Sequence, residues 1–215
     1  QAANQQRCWN WFRPGDQERG RGEPALIAGI TQDVIAAEGT DVARVYVAGL
    51  SAGGAAAAIM ADGYPDLFAA VGVHSGLVCG AARDMPSAFA AMKRGAAPGI
   101  KRRKGSRFVP LITFHGDRDG TVCEANAREL VAAATATAGE PLQVEVELGK
   151  AGGRSYARAL SRDIDGRVLI EQWTIADAGH TWSGGNAAGS HADAAGPNAS
   201  GEMLRFFLEQ KRAGG

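Results

Sequence analysis

Residues 44–60 read Arg44-Val-Tyr-Val-Ala-Gly-Leu-Ser-Ala-Gly-Gly-Ala-Ala-Ala-Ala-Ile-Met60. No other stretch constrains the chain as much. Val45, Tyr46 and Val47 are β-branched or aromatic, as a buried strand prefers. Ala55 to Met60 favour a helix. Between them, Gly49-Leu50-Ser51-Ala52-Gly53 fits G-x-S-x-G, a sharp strand-to-helix turn with strained backbone at the serine. The flanking glycines are expected because a Cβ there would strike the neighbouring strand or helix. Such a turn lifts the Ser51 hydroxyl above a sheet and puts the Ala52 N–H at a helix N-terminus, where it can stabilise an oxyanion. With 30 glycines in 215 residues, the pattern alone is weak, and the strand before it and the helix after it sharpen it.

Residues 7–12 hold the aromatic cluster Cys8-Trp-Asn-Trp-Phe12, read either as core packing or as a cleft wall. Residues 24–38 predict an amphipathic helix with Leu26, Ile30 and Val34 inward, Ile27 and Ile35 widening the stripe and Gly39 as its stop. Residues 67–73 predict a second buried strand, ending at His74-Ser75-Gly76. A helix and a basic loop follow, and Lys101-Arg-Arg-Lys104 is read as a solvated run. Residues 108–114 predict a third strand, and residues 123–137 a helix. Leu142, Val144, Val146 and Leu148 alternate with polar residues, which predicts a strand with one wet face. Residues 156–160 and 168–175 flank the turn signal Asp163-Ile-Asp-Gly166. Residues 203–211 predict a final helix with Met203, Leu204, Phe207 and Leu208 inward.

Strands alternating with helices predict an α/β fold with a mainly parallel sheet, residues 1–215 forming one domain. Ligands of such sheets bind at the carboxyl ends of the strands. Charge is balanced, 23 basic against 23 acidic residues, so nothing points to nucleic acid. No apolar run is long enough to span a bilayer. No metal or organic cofactor is implied, and composition leaves the oligomeric state open.

A serine hydroxyl needs a base to take its proton, and the base needs a carboxylate to orient it. On this architecture the expected chain order is serine, acid, histidine. Ser51, Asp119 and His180 satisfy it. Asp117 competes with Asp119 in the same turn, and Asp177 is a weaker candidate. Of the four histidines, His191 is the fallback base. His74 and His115 break the order and read as structural. Trp182, two residues after the base, is expected to wall a pocket with Trp9 and Trp11.

Gly49-Leu-Ser-Ala-Gly53, His115-Gly-Asp-Arg-Asp119 and Gly179-His-Thr-Trp-Ser-Gly-Gly185 resemble the corresponding loops of α/β-hydrolase esterases. More narrowly, the last of these, Cys8-Trp-Asn-Trp-Phe12 and Tyr64-Pro-Asp-Leu-Phe-Ala-Ala-Val71 resemble the poly(3-hydroxybutyrate) depolymerase family, to which feruloyl and acetylxylan esterases are related. The resemblance spans nearly the whole chain. It implies a secreted serine esterase acting on ester or polyester substrates through an acyl-enzyme, and it favours the last aspartate of H-G-x-x-D, Asp119. Family members carry further sheet strands and an oxyanion loop upstream of the tryptophan cluster. The resemblance therefore implies an N-terminally truncated sheet here, and a Cys8 partner in that upstream loop. Cys79 and Cys123, each just beyond a strand end, are expected to pair. Alternative readings are a feruloyl or acetylxylan esterase, a serine peptidase on the same fold, and a non-catalytic truncated hydrolase domain.

Overall fold

The computed structural model describes residue 4, residues 7–97 and residues 107–212. Strand β1 (Tyr46–Leu50) leads into helix α2 (Ala52–Gly63), after helix α1 (Gly22–Glu38). Strand β2 (Ala70–His74), helix α3 (Met85–Arg94), strand β3 (Leu111–Gly116) and helix α4 (Ala125–Ala138) follow. Strands β4 (Gln143–Ala151), β5 (Arg154–Arg162) and β6 (Val168–Ile175) come next. Two-residue strands β7 (Trp182–Ser183) and β8 (Ala192–Asp193) pair with each other before helix α5 (Ala199–Glu209).

The six-stranded sheet has the order β1-β2-β3-β6-β5-β4. β1, β2, β3 and β6 run parallel, and β5 and β4 add antiparallel. All four parallel strands thus end on one side, where their loops can meet. Period-two alternation divides the core between the two faces. Val71, Val73, Leu111 and Ile170 pack with Ala57, Ala58 and Ala61 of α2 and Leu130 of α4. Ala70, Ile112, Phe114, Trp173 and Ile175 pack with Ala199, Met203, Phe206 and Phe207 of α5. Burying one such aliphatic or aromatic side chain contributes about 1.5–3 kcal/mol.

The alanines of α2 let it lie close on the sheet, and eight of its residues are buried. Helix α5 is also pinned electrostatically. The Glu171 carboxylate is fully buried and receives Arg205 at 2.6 Å, Arg158 at 3.0 Å and the Trp173 indole N–H at 2.7 Å. A buried charge of this kind is tolerated because its partners replace the lost water.

Several sequence expectations are corrected. α1 forms, but Leu26, Ile30 and Val34 are 66%, 65% and 50% exposed. Of the expected stripe Ile27 does pack inward, beside Ala28, against Met60, Tyr64 and Phe68, the small residue allowing the closer approach. β2 starts at Ala70, because residues 65–67 form a turn after α2. β4 is wet on both faces, since it is the sheet's outer strand and Val144, Val146 and Leu148 stay exposed. In α5, Met203 and Phe207 face inward with Phe206, whereas Leu204 and Leu208 lie more than half exposed. Cys123 is a free thiol whose Sγ accepts from the Asn126 side chain at 3.5 Å, so the Cys79–Cys123 pairing does not form. The basic run 101–104 lies outside the described residues.

Candidate active site

Ser51 sits between β1 and α2 at φ 57° and ψ −119°. A non-glycine residue in such a region carries strain of about 1–3 kcal/mol, sustained only where the surroundings over-determine it. Here the Ser51 N–H donates to the His74 carbonyl at 2.9 Å, and the Ser51 carbonyl accepts from Ala55 N–H at 2.9 Å. Gly49 is required by space: an added Cβ would lie 2.3 Å from both C and O of Gly53. Gly53 is not. A Cβ there would meet only Trp9, at 3.9 Å, so the expected collision at this second motif glycine is corrected. Ala52 opens α2, so its N–H belongs to the helix end that lacks intrahelical partners.

β3 delivers the acid loop. Gly116 ends it against the backbone of Ala178, where a Cβ would come within 2.2 Å of the carbonyl oxygen. Asp119 folds back and is almost fully buried. Its Oδ1 accepts from Thr121 N–H at 2.9 Å and Val122 N–H at 2.8 Å. Its Oδ2 lies 2.7 Å from His180 Nδ1. Burial pushes the Asp119 carboxyl up, but the His180 hydrogen bond and those two amides outweigh it and hold it below its ordinary value. His180 Nε2 in turn lies 2.8 Å from Ser51 Oγ. Asp119 accepts at Nδ1, so the proton is there, leaving Nε2 free to accept from the serine hydroxyl.

The competing residues have other partners. Asp117 is exposed, and its Oδ1 accepts from Asp177 N–H at 2.7 Å, tying the acid loop to the histidine loop. The Asp177 carboxylate pairs with Arg118 at 3.1 Å on the surface. His191 is exposed, and its carbonyl accepts from Trp182 N–H at 2.7 Å. His115 is buried beneath Asp119, 3.5 Å from its Oδ2, and donates through Nε2 to the Val122 carbonyl at 2.8 Å. Burial holds its pKa below the ordinary value.

The three tryptophans separate. Trp9 lies beside Gly53 at the turn and is half-buried. Trp11 is 7% exposed and packs edge-on to Phe12 in a core cluster with Ala55, Ile59 and Leu77, so it takes the core-packing alternative rather than a cleft wall. Trp182 stacks on His74 with ring centroids 5.2 Å apart and donates its indole N–H to Ser200 Oγ at 3.1 Å. A cavity of about 750 Å³ between α2 and α4 is lined by residues such as Val73, Phe108 and Leu130, and Ser51, Asp119 and His180 are not among its described lining. No group of three or more potential metal ligands is gathered among the described residues.

The family model for esterase PHB depolymerase matches residues 1–139. Poly(3-hydroxyalkanoate) depolymerase C of Paucimonas lemoignei is 36% identical over 187 residues, 82% of this chain and 44% of that protein. The chain belongs to the esterase PHB depolymerase family. Feruloyl esterase B of Thermothelomyces thermophilus is 35% identical over 82 residues, 38% of this chain and 28% of that protein. The chain spans less than half the length of these curated relatives. An acetyl xylan esterase from Aspergillus awamori superposes with a TM-score of 0.68 at 20% identity, covering 94% of this chain and 73% of that one. That likeness establishes the α/β-hydrolase fold for this family member. No described helix is long and apolar enough to cross a membrane.

Proposed function

We propose that the chain is a serine esterase that cleaves carboxylic esters through an acyl-enzyme. The observation that carries this reading is the continuous hydrogen-bonded line from Ser51 Oγ through His180 to Asp119, at 2.8 and 2.7 Å, beginning at a strained turn. In the proposed cycle the Ser51 hydroxyl proton passes to His180 Nε2 as Oγ bonds to the ester carbonyl carbon. The Ala52 N–H stabilises the resulting oxyanion. The intermediate collapses, breaking the bond to the alcohol oxygen, which takes the proton from His180. Water then repeats the sequence on the acyl-enzyme, with His180 first as base and then as acid, and releases the carboxylic acid. Asp119 holds His180 in the required tautomer and stabilises the imidazolium.

Short 3-hydroxyacyl esters, including polyesters of them, are the proposed substrates. The relative named as a poly(3-hydroxyalkanoate) depolymerase matches 82% of the chain, against 38% for the feruloyl esterase, which supports this choice over aromatic esters. Trp9, beside the turn, and Trp182 are proposed to border the substrate, and an extracellular location follows from a polymeric substrate. Hydrolysis of 3-hydroxybutyrate oligomers, p-nitrophenyl butyrate and methyl ferulate tests this. Turnover of the first two above the third is expected. Preference for methyl ferulate would move the reading to a feruloyl esterase, and cleavage of peptides alone would move it to a peptidase.

A further inference from the structure

His74 is a buried histidine outside the proposed Ser51–His180–Asp119 relay, yet it touches the backbone both at the turn carrying Ser51 and in the loop carrying His180. It is 1% exposed at the end of β2. Its carbonyl accepts the Ser51 N–H at 2.9 Å. Its ring Nε2 lies 3.0 Å from the Ser183 backbone N, three residues after His180. The ring stacks on Trp182 at 5.2 Å and on Phe114 at 5.8 Å. The next residue, Ser75, is fully buried at φ 47° and donates its N–H to the Phe114 carbonyl at 2.9 Å. This strand end is therefore fixed from several sides.

A backbone N–H can only donate, so His74 Nε2 must be the acceptor and carry no proton. A neutral ring then has its proton on Nδ1, which lies 3.3 Å from Ser75 Oγ. Burial, with the nearby His115 and His180, holds the His74 pKa down to about 3, consistent with a ring that stays neutral. An imidazolium would present a second N–H to the Ser183 N–H and break the contact.

We propose that His74, as the neutral Nδ1–H tautomer, is a positioning residue that registers the loop carrying His180 against the turn carrying Ser51. The proposal rests on the esterase reading above. The acceptor at Nε2 fixes the loop's height at Ser183, and the stack on Trp182 fixes its lateral position. The same residue's carbonyl fixes Ser51. His74 itself is buried away from the substrate, so the larger effect should fall on turnover rather than on substrate affinity.

The variants His74→Phe and His74→Gln separate the two contributions, since the first keeps a ring without an acceptor and the second keeps an acceptor without a ring. With p-nitrophenyl butyrate, His74→Phe is expected to lower kcat about tenfold to a hundredfold at nearly unchanged KM, the size of effect that a small misplacement produces. His74→Gln should recover most of that loss. Full kcat in a folded His74→Phe chain would overturn the proposal, as would a loss confined to melting temperature. Ser51→Ala, run alongside, tells the two readings apart. If it leaves turnover intact, the esterase site itself is wrong. If it abolishes turnover while folded His74→Phe does not lower it, only the positioning role falls. Ring ¹⁵N–¹H correlation spectra of the unmutated chain decide the matter independently of whether His74→Phe folds. They should show His74 protonated on Nδ1 alone across roughly pH 5 to 8, and an Nε2–H tautomer would overturn the proposal.

Discussion

β2 and β4 are both strands rich in small and branched apolar residues, and they end in opposite surroundings. Every residue of β2 is buried, whereas Val144, Val146 and Leu148 of β4 are 65%, 61% and 83% exposed. β2 lies between two parallel neighbours under helices, and β4 is the outer strand of an antiparallel arm. The contrast extends to chemistry. β2 runs directly into His74 and Ser75, which brace the proposed site, while no candidate site residue lies on β4. A parallel strand buried on both faces can hold a strained loop at its carboxyl end, because its position is fixed by packing on every side. Being an outer strand is not what sets β4 apart, since β1 is one too and carries Ser51; β1 is packed under α2, whereas β4 is exposed along most of its length.

The largest expected difference between the two regions is catalytic. His180→Ala should reduce turnover of p-nitrophenyl butyrate by about a millionfold, towards background, because the members of such a relay act as a unit. A triple substitution of Val144, Val146 and Leu148 to threonine should leave turnover within about twofold, the arm being remote from the site. Next, Asp119→Asn should lower kcat by about ten-thousandfold, since the amide favours the wrong imidazole tautomer. Asp117→Asn should cost far less, because its exposed carboxylate holds the Asp177 N–H and not the His180 ring. Equal losses in the two variants would dissolve the distinction between the buried and the exposed acid.

Stability should divide along the same line. Ile112→Ala, at a fully buried position of β3, should cost about 2–5 kcal/mol in urea unfolding. Leu148→Ala on β4 should stay within about 0.5 kcal/mol. Comparable costs would show that the arm is as tightly packed as the core. The remaining effect is in pH. His74 is held to about 3 when folded, against 6.5 for the ordinary side chain. Between those values the unfolded chain binds the proton and the folded chain does not, so stability rises with pH and is lost as pH falls from 6.5 towards 3. The slope from this group is about 1.4 kcal/mol per pH unit. Urea unfolding at a series of pH values should show it, and His74→Gln should flatten the curve.

The strand–turn–helix unit at Ser51 was legible because its three signals are local: β-branched residues, glycine at the turn and alanines after it. The order Ser51, Asp119, His180 was legible because few histidines compete. Which face of a helix turns inward was not. Apolar spacing in α1 marked Leu26, Ile30 and Val34 with Ile27 at the stripe's edge, yet the helix rests on Ile27 and Ala28, because the choice depends on the shape of α2 beneath it. In α5 the inward set is Ala199, Met203, Phe206 and Phe207, one step around from the expected one, for the same reason. β4 had the right alternation, yet Val144, Val146 and Leu148 stay exposed in the fold. The role of His74 was hidden because its partner, the Ser183 N–H, is 109 residues away and carries no side-chain signature. Gly53 misled in the other direction, since the motif suggested a clash that only Gly49 meets.

The central claim is that Ser51 is a nucleophile activated by His180. Labelling with a fluorophosphonate probe, followed by peptide mass spectrometry, tests it most directly. The account predicts one adduct, on Ser51, that is absent in Ser51→Ala and forms far more slowly in His180→Ala. An adduct that persists in Ser51→Ala, or a folded chain that never reacts, would contradict it.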